Sequence, residues 1–431
     1  MLSVNNLRHN TKFIAQKLSR RGFILEIKKV KSLETKRKKL QIKIETLQKK
    51  RNFLSEKIEK NLVYGEKNLN YVKNKVKKIR KDFVFLKKNL LDLKKEIRKF
   101  YSKIPNIPDD SVPTGINKSD NVEIVKWGKI KKYDFDIKDH VSLGKINNRI
   151  DFCSASQISG KKFAFIKGDM AKLYRALSQF MINLHTEEHK YIEIYVPYLV
   201  KKDALYGSGQ LPKFKEELIE AKIPKHGKLD NFFLIPTSEV SLVNLARNKI
   251  FSSGSLPIKL VTNSPCFRSE IGSYGKSSKG IIRMHQFDKV ELIQIVNPEN
   301  SMESLEEITS HAENVLKFLE LPYRKVMLCT GEIGFSSCKT YDLEAWFPSK
   351  NKYCEVSSCS NTRDFQSRRI MARFFCGIKK TKRFVHILNG SGLAIGRVLA
   401  SIMENYQEKN GWIKIPKILR SYMNGNKYIK N

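Results

Sequence analysis

Two apolar series fix more of the fold than any other feature of this chain. Val72, Val76, Ile79, Phe83, Leu86, Leu90, Leu93, Ile97 and Phe100 follow alternating steps of four and three, and every one is apolar. Val30, Leu33, Arg37, Leu40, Ile44, Leu47, Arg51, Leu54 and Ile58 follow the same rule, broken only by the two arginines. That spacing is the seam of a coiled coil. The run between them, "NLVYGEKNLN", holds Gly65 as a turn residue, so the two helices read as an antiparallel hairpin. At about 1.5 Å per residue each arm reaches roughly 40 Å. Arg37 and Arg51 predict looser packing along the first seam.

Charge says what such an arm is for. The chain carries 82 Lys+Arg against 43 Asp+Glu, a formal net charge of +39. A lysine- and asparagine-rich composition accounts for part of that, but it would spread evenly. Residues 28–100 hold 26 Lys+Arg against 8 Asp+Glu, a net of +18, so about a sixth of the chain carries nearly half the charge. Many of these lysines read singly as a solvated helix surface. Their sum points to a phosphate backbone. A dimerising coiled coil would need acids beside the seam, and acids are scarce.

Beyond "IPNIPDDSVPTGINKSDN" the pattern changes. Prolines and polar residues stop the helix there, and short β-rich runs then alternate with helical stretches. "FFLIP", "PIKLV", "GIIRMHQFDKVELIQIV" and "RFVHILN" read as strands; "KLYRALSQFMINLHTEEH" and "SMESLEEITSHAENVLKFLEL" read as helices. Hairpin-like strand pairs with helices packed on them give an α+β domain around an antiparallel sheet. The expected organisation is an N-terminal domain at 1–103 with the hairpin at about 30–100, a linker at 104–125, and a catalytic domain at 126–431. Seven cysteines without a CxxC pair argue against structural zinc and for reduced thiols. The N-terminus lacks the apolar run of a signal peptide, and no stretch approaches a membrane span. A cytoplasmic protein without membrane partners is expected.

The segment "SPCFRSEIGSYGKSSKGIIRMHQFDKVEL", residues 264–292, gathers unusual chemistry. On strands, side chains two apart share a face. Arg268 and Glu270 are thus expected on one face, and Arg283, His285, Phe287, Lys289 and Glu291 on another. A hairpin of this kind suits a ligand that is anionic at one end and flat in the middle. Arginine forks suit phosphate, and Phe287 suits a base. Glu355, Ser357 and Ser358 of "EVSSCSN" are oxygen donors suited to magnesium. "NGSGLAIGRVLASIMEN" reads as a tight glycine turn opening a helix, with Arg397 in its first turns. It is too near the C-terminus for a dinucleotide fingerprint. "GKSS" at 275–278 fails as a P-loop, since Glu270 stands where that motif needs glycine. His185 and His189, spaced i and i+4, read as surface residues. The whole reads as an ATP site without a P-loop.

Together these segments resemble a known family. "CFRSEIG" with "IIRMHQFDKVEL" is similar to motif 2 of class II aminoacyl-tRNA synthetases, and "GSGLAIGRVLASIMEN" to motif 3. "YIEIYVPYLV" resembles motif 1, which builds the dimer interface of that class. "LIPTSEVSL", "TGEIGFSSCKTYDLEAWFPS", "EVSSCSNTRDFQSRR" and the helical hairpin resemble the bacterial-type seryl-tRNA synthetases. The resemblance implies a class II antiparallel core flanked by helices, with a tRNA-binding arm. It implies a homodimer that forms seryl-adenylate from L-serine and ATP with Mg²⁺, then loads tRNA(Ser), with tRNA(Sec) a further candidate. Arg268 and Arg397 would be catalytic. Arg268, Ser269, Glu270, Arg283, Phe287, Glu355, Val356, Ser357, Ser358 and Arg397 would bind ATP. Thr237, Ser238, Glu239, Glu291 and Ser391 would bind serine, and Glu355 and Ser358 the metal. Ser238 stands where the family often has alanine, and Lys276 and Lys279 where it has arginine. Two alternatives remain at this point: a class II relative that loads a carrier other than tRNA, which should lack the arm, and an inactive RNA binder.

Overall fold

The computed structural model describes residues 1–60, 65–225, 227–271, 280–377 and 381–430. The chain divides into two compact units: Leu2–Ser19 with Phe23–Pro105, and Met1, Arg20–Gly22 and Asn106–Asn431.

The first unit is helical. Short helices α1 (Val4–His9) and α2 (Thr11–Ser19) precede the long α3 (Ile27–Glu59) and α4 (Glu66–Tyr101). Every position of both apolar series is buried or half-buried, and most of the rest is exposed. At 33 and 36 residues the helices span roughly 50 Å. Gly65 opens α4 at φ 86°, which a side chain would resist. The two seam arginines both find partners. Arg51 lays its guanidinium 5.5 Å from the centre of the Phe83 ring on the opposite helix. Arg37 donates to Glu34 at 2.8 Å, as do Arg8 at 2.7 Å and Tyr101 at 3.0 Å. Burial pushes the Glu34 carboxyl up, but these donors outweigh it and hold it below its ordinary range.

The second unit is built on eight strands: β1 (Val122–Trp127), β2 (Ile192–Glu193), β3 (Ile258–Phe267), β4 (Gln286–Val296), β5 (Tyr323–Met327), β6 (Lys339–Phe347), β7 (Lys352–Asn361) and β8 (His386–Ala394). Their order is β1-β5-β6-β7-β8-β4-β3-β2, antiparallel except for the edge pair β2–β3. Helices α5 (Gly168–Asn183), α6 (Ser301–Phe318) and α7 (Ile395–Asn405) supply Leu177, Ile308, Val315, Leu399 and Met403 to one core. Val290 and Leu292 of β4 join that core. Side chains alternate along a strand, so Lys289 and Glu291 turn to the other face.

Three expectations are corrected. β3 ends at Phe267 and β4 begins at Gln286, so Arg268, Glu270, Arg283 and His285 lie beyond the strands. Their faces are not set by alternation, and Glu270 adopts φ 50°. The glycine run is not a turn either. "HILNGSGLA" is β8 itself, running straight into α7. Gly392 is required by close approach, since a Cβ there would stand 2.8 Å from His185 Nε2. His185 in turn is fully buried. Its Nδ1 lies 3.0 Å from His189 Nδ1, and the His189 ring stacks on His311 at 4.0 Å. Burial and the neighbouring imidazoles lower the His185 pKa to about 3. The "GKSS" segment, Lys276 and Lys279 lie outside the described residues.

Candidate active site

A cavity of about 320 Å³ opens on the face of β4, β7 and β8 that α6 and α7 leave uncovered. At one end stand Arg268, Glu270, Arg283, Phe287, Glu355 and Arg397. Arg268 is fixed by a bond from Nε to Pro236 O at 3.2 Å, and its guanidinium lies 5.2 Å from the centre of the Phe287 ring. Arg283 Nε and Glu270 Oε2 pair at 2.5 Å. Arg397 donates to Ile282 O and Glu355 O and pairs with the Glu355 carboxylate at 3.2 Å. Burial pushes Glu355 up, but Arg397, Lys118 and Arg268 outweigh it and hold the carboxyl below its usual range. Each cation and anion has a partner that a charged ligand can exchange for its own groups.

The other end is buried. Thr237 donates to Glu291 Oε2 at 3.1 Å and accepts from Lys289 Nζ at 3.0 Å. Lys289 also pairs with Glu291 Oε2. Glu239 Oε1 accepts from Gln366 at 2.6 Å and from Asn389. Burial, and then the Glu291 carboxylate, push the Glu239 pKa up to about 7. Ser391 pairs in register with Glu291 across β8 and β4.

Two bulges place these groups. Against β4, Ser391 and Ala394 face Glu291 and Lys289, so β8 spends an extra residue, with Leu393 at φ 104°. Against β6, Glu355 and Ser357 face Glu344 and Leu343, so β7 has one extra residue at Val356. On a regular strand Glu355 and Ser358, three apart, would face opposite ways. The bulge lets both line the cavity, with Val356 and Ser357. The Ser357 hydroxyl is committed to Ser391 O at 2.6 Å. Ser358 is hydrogen-bonded to Asp342, its register partner on β6. Burial and the nearby Glu355 raise the Asp342 pKa far above its usual range, and among the described residues nothing bonds its buried Oδ1. Two carboxylates and a hydroxyl suit a hard cation that keeps phosphate oxygens among its ligands. Among the described residues no cluster of three His, Cys, Asp or Glu could hold a metal alone.

The structure thus gathers the sequence-selected residues into one cavity, with two exceptions. Ser269 bonds Glu216 O and Ser238 is fully buried without lining the site. Sequence reasoning assigned no role to Lys289, Asn389, Gln366 or Asp342. Asn389 stands two before Ser391, so strand alternation would have found it, whereas Asp342 meets Ser358 only through the pairing of β6 with β7. Gln366, on a short helix far along the chain, left no signal.

Comparison with known proteins names the chemistry. Residues 1–108 match the sequence model of the seryl-tRNA synthetase N-terminal domain, and residues 222–406 that of the tRNA synthetase class II core domain (G, H, P, S and T). A seryl-tRNA synthetase from Pyrococcus horikoshii, solved with ATP, is 34% identical, with 100% of this chain and 99% of that one covered and a TM-score of 0.90. The chain belongs to the seryl-tRNA synthetase family. A cytoplasmic serine-tRNA ligase from Naegleria fowleri, solved with AMP, is 28% identical over 100% of this chain and 99% of that one, TM-score 0.86. A Giardia lamblia prolyl-tRNA synthetase, solved with prolyl-adenylate, shares the fold at 14% identity, covering 65% of this chain and 53% of its own, TM-score 0.57. As a seryl-tRNA synthetase, the chain is an enzyme that joins serine to tRNA, with a class II sheet as its catalytic floor and the helical arm of its family at the N-terminus.

Proposed function

We propose that this cavity binds ATP, magnesium and L-serine, and that the helical hairpin holds tRNA(Ser). One juxtaposition carries the reading: three guanidinium groups and an aromatic ring at one end of a cavity whose other end is a buried threonine–glutamate cluster. The nucleotides bound to the relatives favour it. The base stacks on Phe287 and its amine meets Glu270. Arg268 takes the α-phosphate, and Arg283 and Arg397 the outer phosphates. Glu355 and Ser358 hold magnesium, which when bound neutralises phosphate charge; Asp342 stands behind Ser358. Val356 and Ser357 line the same wall, and Ser269 ties the loop to Glu216. Glu239 and Thr237 take the serine ammonium, with Ser238 supporting them from within. Glu291 and Ser391 meet the side-chain hydroxyl.

A serine carboxylate oxygen then attacks the α-phosphorus, the bond to the bridging oxygen breaks, and pyrophosphate leaves. The terminal 3′-hydroxyl of tRNA attacks the seryl carbonyl next, and AMP leaves. Neither step needs a nucleophile from the protein. The enzyme positions the reactants and stabilises charge. Alanine would leave the Glu291 carboxylate unsatisfied, a kind of readout that discriminates by about 10⁴ in favourable cases.

The enzyme works as a cytoplasmic homodimer on this reading. Ile192 in the edge strand β2 and Tyr195 just after it, 59% and 87% exposed, suit a subunit contact. tRNA(Sec) is a second candidate for the same arm. No helix among the described residues is long and apolar enough to cross a membrane. Pyrophosphate exchange into ATP, run across the amino acids, tests the reading. Serine alone is expected to support rapid exchange, and exchange driven by a different amino acid overturns the assignment.

Glu239 gives a pH signature. It must be ionised to hold an ammonium, and its pKa sits at about 7. The KM for serine should therefore rise as pH falls below 7, by up to about tenfold per unit. Stability moves the other way. Between the ordinary carboxyl value of 4.5 and about 7 the folded state keeps a proton that the unfolded chain has released. Stability of the ligand-free enzyme should fall as pH rises through that window. Urea midpoints and serine KM measured together, with Glu239→Gln as the flat control, check both signs.

A further inference from the structure

The buried ammonium of Lys289 has no part in the chemistry above, yet it stands at the centre of the serine end. It is 8% exposed and is the one lysine among the described residues lining the cavity. It donates to Thr237 Oγ1 at 3.0 Å and pairs with Glu291 Oε2. Thr237 donates to that same oxygen at 3.1 Å and accepts from the Glu239 backbone N–H at 3.3 Å. Three groups therefore close a ring around Glu291 Oε2, and both bonds to the carboxylate fall on one oxygen. Glu291 is 3% exposed, so its orientation is set by these partners and not by water. Lys289 and Glu291 are two apart on β4, whose pairing with β3 runs unbroken there, so their side chains share the cavity wall.

The charge balance gives this arrangement a purpose. Glu239 and Glu291 bring two buried carboxylates, and Lys289 brings one ammonium. One negative charge is left over, which matches one substrate ammonium. Without Lys289 both carboxylates would compete for that ammonium, and the one intended for the hydroxyl would be drawn away from it.

We infer that Lys289 is the positioning residue for serine selectivity: it occupies Glu291 Oε2 so that Oε1 is kept for the substrate hydroxyl, and it reserves the ammonium for Glu239. The inference rests on the assignment of this end of the cavity to serine. It makes alanine the informative competitor, since alanine brings the ammonium and lacks the hydroxyl. Lys289→Met should harm serine more than alanine, because the freed carboxylate helps any ammonium but no longer reads a hydroxyl.

The test is pyrophosphate exchange with serine and with alanine, using wild type, Lys289→Met, Lys289→Arg, Glu291→Gln and the double variant Lys289→Met/Glu291→Gln. Lys289→Met should lower kcat/KM for serine by about 10²-fold, chiefly through KM, and shrink the serine-over-alanine ratio at least about tenfold. The KM for ATP should stay within about twofold. Lys289→Arg should fall between, and it decides the matter if the methionine variant does not fold. In the Glu291→Gln background, losing Lys289 should change the ratio little further, because the two act as one unit. An unchanged ratio in both lysine variants, or additive effects in the double variant, overturns the inference while leaving serine activation standing. Wild-type enzyme that shows no exchange with serine removes the site assignment and this inference together.

Discussion

Arg268→Ala is expected to abolish serine-dependent pyrophosphate exchange, lowering kcat by about 10³-fold. Negative charge builds on the α-phosphate as the carboxylate oxygen arrives, and a planar fork of donors aimed at it stabilises that charge more than the ground state. The fork is aimed in advance. Its Nε bond to Pro236 O and its stacking over Phe287 hold the guanidinium at the mouth of the nucleotide end. Its backbone is tied to the hairpin through His285, whose carbonyl accepts from Arg268 N at 2.9 Å and whose ring meets Arg268 O. Losing the side chain removes one neutral acceptor's partner and one cation–π contact, so stability should drop by only about 1 kcal/mol. Arg268→Lys should recover little, because an ammonium keeps the charge and loses the fork. The measurement is exchange at saturating ATP and serine, with thermal midpoints alongside. Exchange within tenfold of wild type would remove Arg268 from the reaction centre.

What could be read from the sequence follows the range of each physical rule. The seam of the arm was legible to the residue, since a 3–4 apolar period over many turns admits few other structures. The residue types of the site were legible too, because arginine forks, an aromatic ring and spaced carboxylates suit few ligands. Alternation along strands failed where the strands stopped. Arg268 and Glu270 were expected on one strand face, and they sit past the end of β3. Register was beyond reach. The extra residue at Val356 decides that Glu355 and Ser358 share a wall, and the extra residue at Leu393 decides that Ser391 and Ala394 face Glu291 and Lys289. A bulge is set by how two strands pair, and that depends on residues far apart in the chain. His185 was misread because an amphipathic pattern assigns faces as if the helix were regular, whereas the backbone turns into a π-helix at Leu184–Glu188. The glycines of β8 read as a turn because the close approach of Gly392 to His185, and of Gly390 to Cys359 and Ile308, leaves no trace in local sequence.

Shortening the arm should separate the two half-reactions. Excising residues 41–93 and joining the cut helices by a short glycine-rich turn keeps the Glu34 cluster at the base, where Arg8, Arg37 and Tyr101 converge. The excised part buries its apolar seam within itself, so removing both strands of the seam together exposes little. None of its residues lines the cavity. Serine-dependent exchange should therefore stay within about twofold of wild type, as expected for a change that touches no cavity group. Aminoacylation of tRNA(Ser) should fall by about 10³-fold in kcat/KM, equivalent to roughly 4 kcal/mol of lost binding. The excised segment holds 15 Lys+Arg against 6 Asp+Glu, a net of +9. Contacts between such a surface and phosphates release counterions, so the salt dependence of the remaining charging should also flatten. That second readout matters. A variant that loses charging but keeps the wild-type salt slope has lost a shape contact and not an electrostatic one. Parallel loss of exchange and charging would instead make the arm a structural element of the enzyme. Undiminished charging would mean that the tRNA is held elsewhere, and that the basic surface of α3 and α4 meets a different polyanion.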